Sequence, residues 1–255
     1  MTHDTLHDFE YSVENGVAEL VLDRPDVFNA FRHETIRDLE TARKRAEEDD
    51  EVRGILLRSS GTDAFCTGAD LNVIDEYTDD EEKLESWLTD WHRSFMDLER
   101  GELPVVGCVT GQALAGGLEL VMACDVVIAG RNATFGDQHI NFDLVAGGSG
   151  TQMLPRLVGR RRAKYLILTG DTIDAETAEE WGLVNEVSDE PIQAARDLAA
   201  RITEHHPDAI RRSKDLVQRG LDVPLDDGLA LERQTVLSHL QSDVAKDGIE
   251  RFKNR

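Results

Sequence analysis

A chain of 255 residues and 28.4 kDa has room for one large α/β core with a small appendage. Aspartate and glutamate total 51 against 28 lysines and arginines, a formal charge of -23 with a pI near 4.6; such a field repels phosphate backbones and anionic membrane surfaces, which excludes a nucleic-acid partner. Lysine occurs only at positions 44, 83, 164, 214, 246 and 253, and excess carboxylate with scarce lysine suggests a halophile-type surface kept soluble where salt screens self-repulsion.

The first residues, MTHDTLHDFE, carry neither a basic start nor an apolar run, so no targeting signal is expected. Phe9 to Leu22 alternate apolar and polar about Asn15-Gly16, a pair that tolerates positive φ, which predicts two strands joined by a two-residue turn. Ile36, Leu39, Ala42 and Ala46 recur at helical spacing between His33 and Glu48 and predict an amphipathic helix covering one face of a sheet. Val52 to Leu57 reads as a buried strand, followed by the glycine-bearing loop GTDAFCTGAD and a helix from Leu84 to Arg100. VVGCV after Pro104 and DVVIAG are two further buried strands, with GQALAGG turning directly into GLELVMACD between them. This alternation predicts an α/β layer architecture. Past Pro191 the pattern is helical only, split at Pro207 and Pro224, so the expected division is a core over 1–195 and a helical region over 196–255.

Three cysteines, Cys66, Cys108 and Cys124, are too few and too scattered for a disulfide framework or a paired metal site. They read as small core residues of a reducing, cytoplasmic compartment, and no metal is expected. No stretch approaches the roughly 18 apolar residues of a membrane span.

Three segments carry chemistry. In the first, Gly116 and Gly117 open a helix, where backbone N–H groups lack intrahelical partners and can face an anion or a developing oxyanion. Glu119 lies three residues beyond Gly116, on the same face, among apolar neighbours; the same spacing also describes a packed small-residue helix with Glu119 exposed. In the second, Gly68 suits a positive-φ turn that frees the Ala69 N–H as another donor, and two donors from separate loops make an oxyanion hole. The third runs from Phe135-Gly136 through a glycine-rich stretch, with His139 and Asp143 four residues apart and both available to a cleft.

Together these segments resemble a family. D-R-P-x-x-x-N-A from Asp23 to Ala30, G-A-D from Gly68 to Asp70, A-G-G-x-E-L-x-x-A-C-D from Ala115 to Asp125, F-G at Phe135 and G-x-G-T-x-x-L-P-R-x-x-G from Gly148 to Gly159 occur in the order of the crotonase (enoyl-CoA hydratase/isomerase) superfamily, as do TGDTIDAETAEEWGLVNEV and the terminal SDVAKDGIERF. The resemblance implies a crotonase-like spiral of ββα units with a C-terminal helical trimerisation region, as a homotrimer or a dimer of trimers. It implies an acyl-CoA thioester as substrate, with coenzyme A part of that substrate and no separate cofactor. The thioester oxygen is expected between the Ala69 and Gly116 amides, and Glu119 matches the first of the two glutamates that hold water in hydratases.

The chain departs from the family at the second glutamate, where F-G-x-x-E becomes F-G-x-x-H at His139. Imidazole gives or takes a proton near neutrality, so His139 is expected to do the missing half, with Asp143 orienting it or supplying a carboxylate itself. The resemblance further implies coenzyme A beside Asn29, Ala30, Cys66, Gly68, Asp70 and Leu71, with Arg24 the local cation for its phosphates; Arg160 to Arg162 reads as a solvated helix start. The expected activity is hydration of a 2-enoyl-CoA. The alternatives are an isomerase, a decarboxylase or lyase of the same superfamily, and a non-catalytic acyl-CoA binder.

Overall fold

The structure, a computed structural model, describes residues 6–254. Residues 1–5 and 255 lie outside the described residues, and with them the start of the segment read for a targeting signal. The chain opens with β1 (Phe9–Glu14) and β2 (Val17–Leu22), paired antiparallel about Asn15 and Gly16, both at positive φ (52° and 80°). Helix α1 (His33–Glu47) follows, with Ile36, Leu39, Ala42 and Ala46 buried as the spacing predicts.

Three units of similar plan come next. The first is β3 (Gly54–Ser59), β4 (Ala64–Cys66) and the helices α2 (Leu71–Asp75) and α3 (Glu81–Arg100). The second is β5 (Val105–Val109), β6 (Gln112–Leu114) and α4 (Gly116–Met122), and the third is β7 (Val126–Gly130), β8 (Thr134–Gly136) and α5 (Gly150–Val158). The long strand of each unit joins a six-stranded sheet with a later strand, β10 (Glu186–Ser188), in the order β1-β2-β3-β5-β7-β10, parallel from β2 onward. The short strand joins a second sheet with β9 (Ile173–Asp174), in the order β4-β6-β8-β9, in which the first three run parallel. The remaining elements are α6 (Arg160–Thr169), β9 (Ile173–Asp174), α7 (Ala175–Trp181), β10 (Glu186–Ser188), α8 (Pro191–Thr203), α9 (Pro207–Leu221), α10 (Leu225–Leu240) and α11 (Asp243–Lys253).

Strand alternation divides the core. Ile55 and Leu57 of β3 face the main cluster under α1 and α3, while Leu56 faces a smaller cluster with Val106, Ile128, Ala195 and Ala199. Helix α8 therefore belongs to the sheet layer, and the expected division at 195 falls inside it. Helices α9, α10 and α11 have no buried residue and leave Leu225, Leu237, Leu240 and Phe252 more than half exposed. Lys214 ties α9 to the core by donating to the Leu103 carbonyl and Asp125 Oδ2 at 2.8 and 2.7 Å.

The second sheet positions the site. Because β4, β6 and β8 are parallel neighbours, their C-terminal ends share one edge. The segments that leave them, Thr67–Leu71, Ala115–Gly117 and Asp137–Phe142, emerge side by side although their starts lie 48 and 22 residues apart in sequence.

Candidate active site

A cavity of about 530 Å³ opens at this edge, lined by Phe28, Ala30, Ala69, Asp70, His139 and Phe142 among others. A larger groove of about 730 Å³ lies among α9, α10 and α11, but it gathers none of the expected groups. The smaller cavity is the candidate site because the three strand ends converge there.

The two amides expected to form an oxyanion hole are brought together by close backbone packing. Gly68 sits at φ +96°, and a Cβ there would stand 2.8 Å from the Gly116 amide nitrogen, so only glycine lets the two loops approach. Around it, Phe31 N–H donates to the Gly68 carbonyl and Asp70 N–H to the Phe31 carbonyl, both at 2.8 Å. The Ala69 N–H between them has no protein partner among the described residues, and neither has the Gly116 N–H in the first turn of α4. Ala115 caps that helix at φ 50°, ψ -118°, a conformation uncommon for a residue with a Cβ, and its own N–H donates to the Gly136 carbonyl at 2.9 Å. The turn brings the following amide nitrogen against the neighbouring loop.

Glu119 is 2% exposed, which removes the reading of a solvated helix face. Its Oε1 accepts from the Gly148 and Gly150 amides at 2.9 and 2.8 Å, and its Oε2 accepts from Trp91 Nε1 at 3.3 Å. Gly148 is required for this arrangement, since a Cβ there would collide with both the Trp91 indole nitrogen and Glu119 Oε2. Burial pushes the Glu119 carboxyl above its ordinary range, while the three N–H donors and nearby His139 pull the other way without cancelling the effect.

His139 stands on the cavity wall at the start of a short 3-10 turn, His139–Phe142. Its Nδ1 lies 3.1 Å from Oδ1 of Asp137, which is 1% exposed. Burial lowers the affinity of the ring for its proton, but the hydrogen bond and charge of Asp137, with the charge of Glu119, outweigh it and leave the imidazole more basic than usual.

The other expected residues divide. Ala30, Asp70 and Leu71 line the cavity. Arg24, expected to meet phosphates, is turned inward between Asp8 at 3.6 Å and Asp70 at 3.7 Å and donates to the Ala30 carbonyl, so its charge is already matched. Asn29, 1% exposed, accepts from Arg24 N–H and donates to the Ala64 carbonyl, each at 2.8 Å, and is a tie between loops. Cys66 is fully buried, its Sγ accepts from the Gly68 amide, and burial pushes its thiol up to about 12; it and Gly68 back the loop that carries the Ala69 amide. Asp143 is exposed at φ 56° and its carboxylate has no partner among the described residues, so it neither orients His139 nor joins Glu119. Arg162 stacks on Trp181 at 5.2 Å, as a solvated helix start allows.

Two residues escaped the sequence reading. Asp137 was legible as an acid two residues before His139, the spacing at which its side chain can turn back on the ring. Trp91 reads only as core from its helical spacing, and nothing local shows its indole reaching a carboxylate 28 residues away.

Comparison with known proteins shows the family and the fold. The family model described as "Enoyl-CoA hydratase/isomerase" matches residues 12–255. The chain is 34% identical over 253 residues to the short-chain-enoyl-CoA hydratase of Clostridium acetobutylicum, covering 95% of this chain and 96% of that protein. It superposes on a crystal structure of enoyl-CoA hydratase from Bacillus anthracis with a TM-score of 0.91 at 30% identity, covering 97% and 96% of the two chains. Pseudomonas aeruginosa DspI superposes with a TM-score of 0.93 at 29% identity, covering 98% and 95%.

Proposed function

The chain belongs to the enoyl-CoA hydratase/isomerase family, and we propose that within it the protein is an enoyl-CoA hydratase that adds water across the double bond of a 2-enoyl-CoA. One observation carries the reading. A buried carboxylate, Glu119, is held by the Gly148 and Gly150 amides against the same turn that Asp137, the partner of the His139 ring, packs on, near two backbone amides without protein partners among the described residues.

In this reading the thioester oxygen accepts from the Ala69 and Gly116 amides, which stabilise the enolate; one such donor is worth roughly 3 kcal/mol of barrier in other enzymes. Glu119, one helical turn below Gly116, takes a proton from water as its oxygen bonds to C3. The C2–C3 π electrons move toward the thioester carbonyl, and His139 as imidazolium then protonates C2. Glu119 ends protonated and His139 neutral; loss of one proton to solvent and gain of another restores both. The coenzyme A moiety is substrate, and the chemistry takes place on these side chains and amides.

The cavity lining supports an acyl-CoA ligand through its apolar wall of Val27, Phe28, Leu71, Phe142 and Leu144. The exposed apolar faces of α10 and α11 support assembly as a homotrimer or a dimer of trimers. No described helix is long and apolar enough to cross a membrane, and the three free cysteines favour the cytoplasm. The carboxylate excess supports a halophile-type setting. Incubation with crotonyl-CoA is expected to abolish the absorbance of the conjugated thioester. No loss across short and medium acyl chains, at low and at molar salt, contradicts the activity.

A further inference from the structure

Asp137 is a buried carboxylate that the hydration scheme does not yet use. Only one of its oxygens has a partner: Oδ1 meets His139 Nδ1 at 3.1 Å, while Oδ2 is shut from solvent with no hydrogen-bond partner among the described residues. Oδ2 points toward Gly150, where a Cβ would lie 3.2 Å from it and 3.1 Å from Glu119 Oε1, so the acid sits against the same turn that holds Glu119. A buried carboxylate with an unspent oxygen is costly and calls for a role.

Holding the local backbone is not that role. The turn is closed by the His139 N–H donating to the Asp137 carbonyl at 2.8 Å, and the segment is anchored to α6 by Gln138 and Asn141, both donating to the Gly170 carbonyl. Neither contact uses the Asp137 side chain. Among the described residues, the charged groups that face the His139 ring include Asp137, from the loop after β8, and Glu119, from α4.

We propose that Asp137 is the positioning residue for His139: its carboxylate accepts a hydrogen bond from Nδ1–H, turns Nε2 toward the substrate cavity and sustains the imidazolium that donates to C2. With Nδ1 committed to Asp137, Nε2 at the other side of the ring faces the cavity that His139 lines. In the donating step the Nε2–H bond breaks, its electron pair stays on Nε2, and the proton bonds to C2. The ring is left neutral, with its remaining proton on Nδ1 against Asp137. An aspartate–histidine pair thereby supplies the proton that the family's second glutamate otherwise gives.

The assignment rests on the hydratase reading, and its test has one arm that needs no turnover. Imidazole ¹⁵N spectra of the wild-type protein are expected to show His139 protonated on Nδ1 when neutral, and Asp137→Asn is expected to lower its titration midpoint by about one pH unit or more. In the kinetic arm, Asp137→Asn is expected to cut kcat by about 10- to 100-fold, part of the 10²–10⁴ that a whole acid–base group supplies, with KM little changed. In a His139→Ala background the same substitution is expected to cost nothing further. A neutral His139 protonated on Nε2, an unmoved midpoint, or an equal rate loss with and without His139 overturns the proposal. If Asp137→Asn does not fold, the wild-type tautomer decides alone. Correct spectra in a protein that hydrates nothing would overturn the hydratase reading and leave the pairing intact.

Discussion

The amide of Gly150 donates to Oε1 of Glu119 at 2.8 Å, joining the first turn of α5 to the first turn of α4. With Gly148 and Trp91 as further donors, the carboxylate is held in one orientation before any substrate arrives. Preorganisation of this kind lets a base act without first being turned into place. Glu119→Gln keeps the size and an acceptor oxygen but cannot take a proton from water. Its turnover is expected to fall by at least about 100-fold in initial-rate assays, with KM little changed. A variant within a few-fold of wild type would remove Glu119 from the chemistry.

The two raised titrations set the pH dependence. In the proposed scheme Glu119 acts as a carboxylate, so activity is expected to fall as pH drops through its folded value, which burial holds above the ordinary 4.5. His139 there acts as an imidazolium, so activity is expected to fall as pH rises through its folded value, which lies above 6.5. A bell-shaped kcat/KM profile is expected, with macroscopic values that belong to the coupled pair. His139→Ala is expected to lower the plateau and erase the alkaline limb; a limb that survives the substitution belongs to another group.

Ala115 bears the strained cap of α4, at φ 50° and ψ -118°. Strain of this sort costs on the order of 1–3 kcal/mol, and glycine relieves it while losing up to about 1 kcal/mol in unfolded-chain entropy. Ala115→Gly is therefore expected to raise the thermal midpoint by roughly 2–4 °C, read by calorimetry at a fixed scan rate. A lower midpoint would show that the surrounding packing already accommodates the Cβ.

Much of this architecture was legible before any coordinates. The Asn15-Gly16 turn, α1, the long strands and the helical C-terminal end follow from turn chemistry and period. The second sheet was not legible in the same way, because strands of two or three residues, such as Gln112–Leu114 and Ile173–Asp174, are too short to display alternation. In the candidate site, the loops that carry the Ala69 and Gly116 amides, and Glu119 beyond them, stand out by glycine spacing. Burial decided the rest: Arg24 is matched by Asp8 and Asp70, and Asp137 takes the place beside His139 expected for Asp143. Which of two nearby acids turns inward depends on where the loop after β8 packs, and that is a tertiary property.

The charge of -23 acquires a sharper meaning at the site. Among the described residues lining the cavity there is no lysine or arginine, while Asp26 and Asp70 contribute carboxylates. A polyanionic thioester must approach against this field. Screening contracts from about 10 Å at 0.1 M salt to about 3 Å at 1 M, so KM for acyl-CoA is expected to fall over that range. A steady rise of KM with salt would instead indicate a cationic docking surface outside the cavity.

The most direct test of the central claim is the mass of the product formed from crotonyl-CoA in ¹⁸O-labelled water. Hydration predicts a product heavier than the substrate by one labelled water, formed by wild type and essentially lost in Glu119→Gln. A product of unchanged mass, or saturable binding with no product, would contradict it.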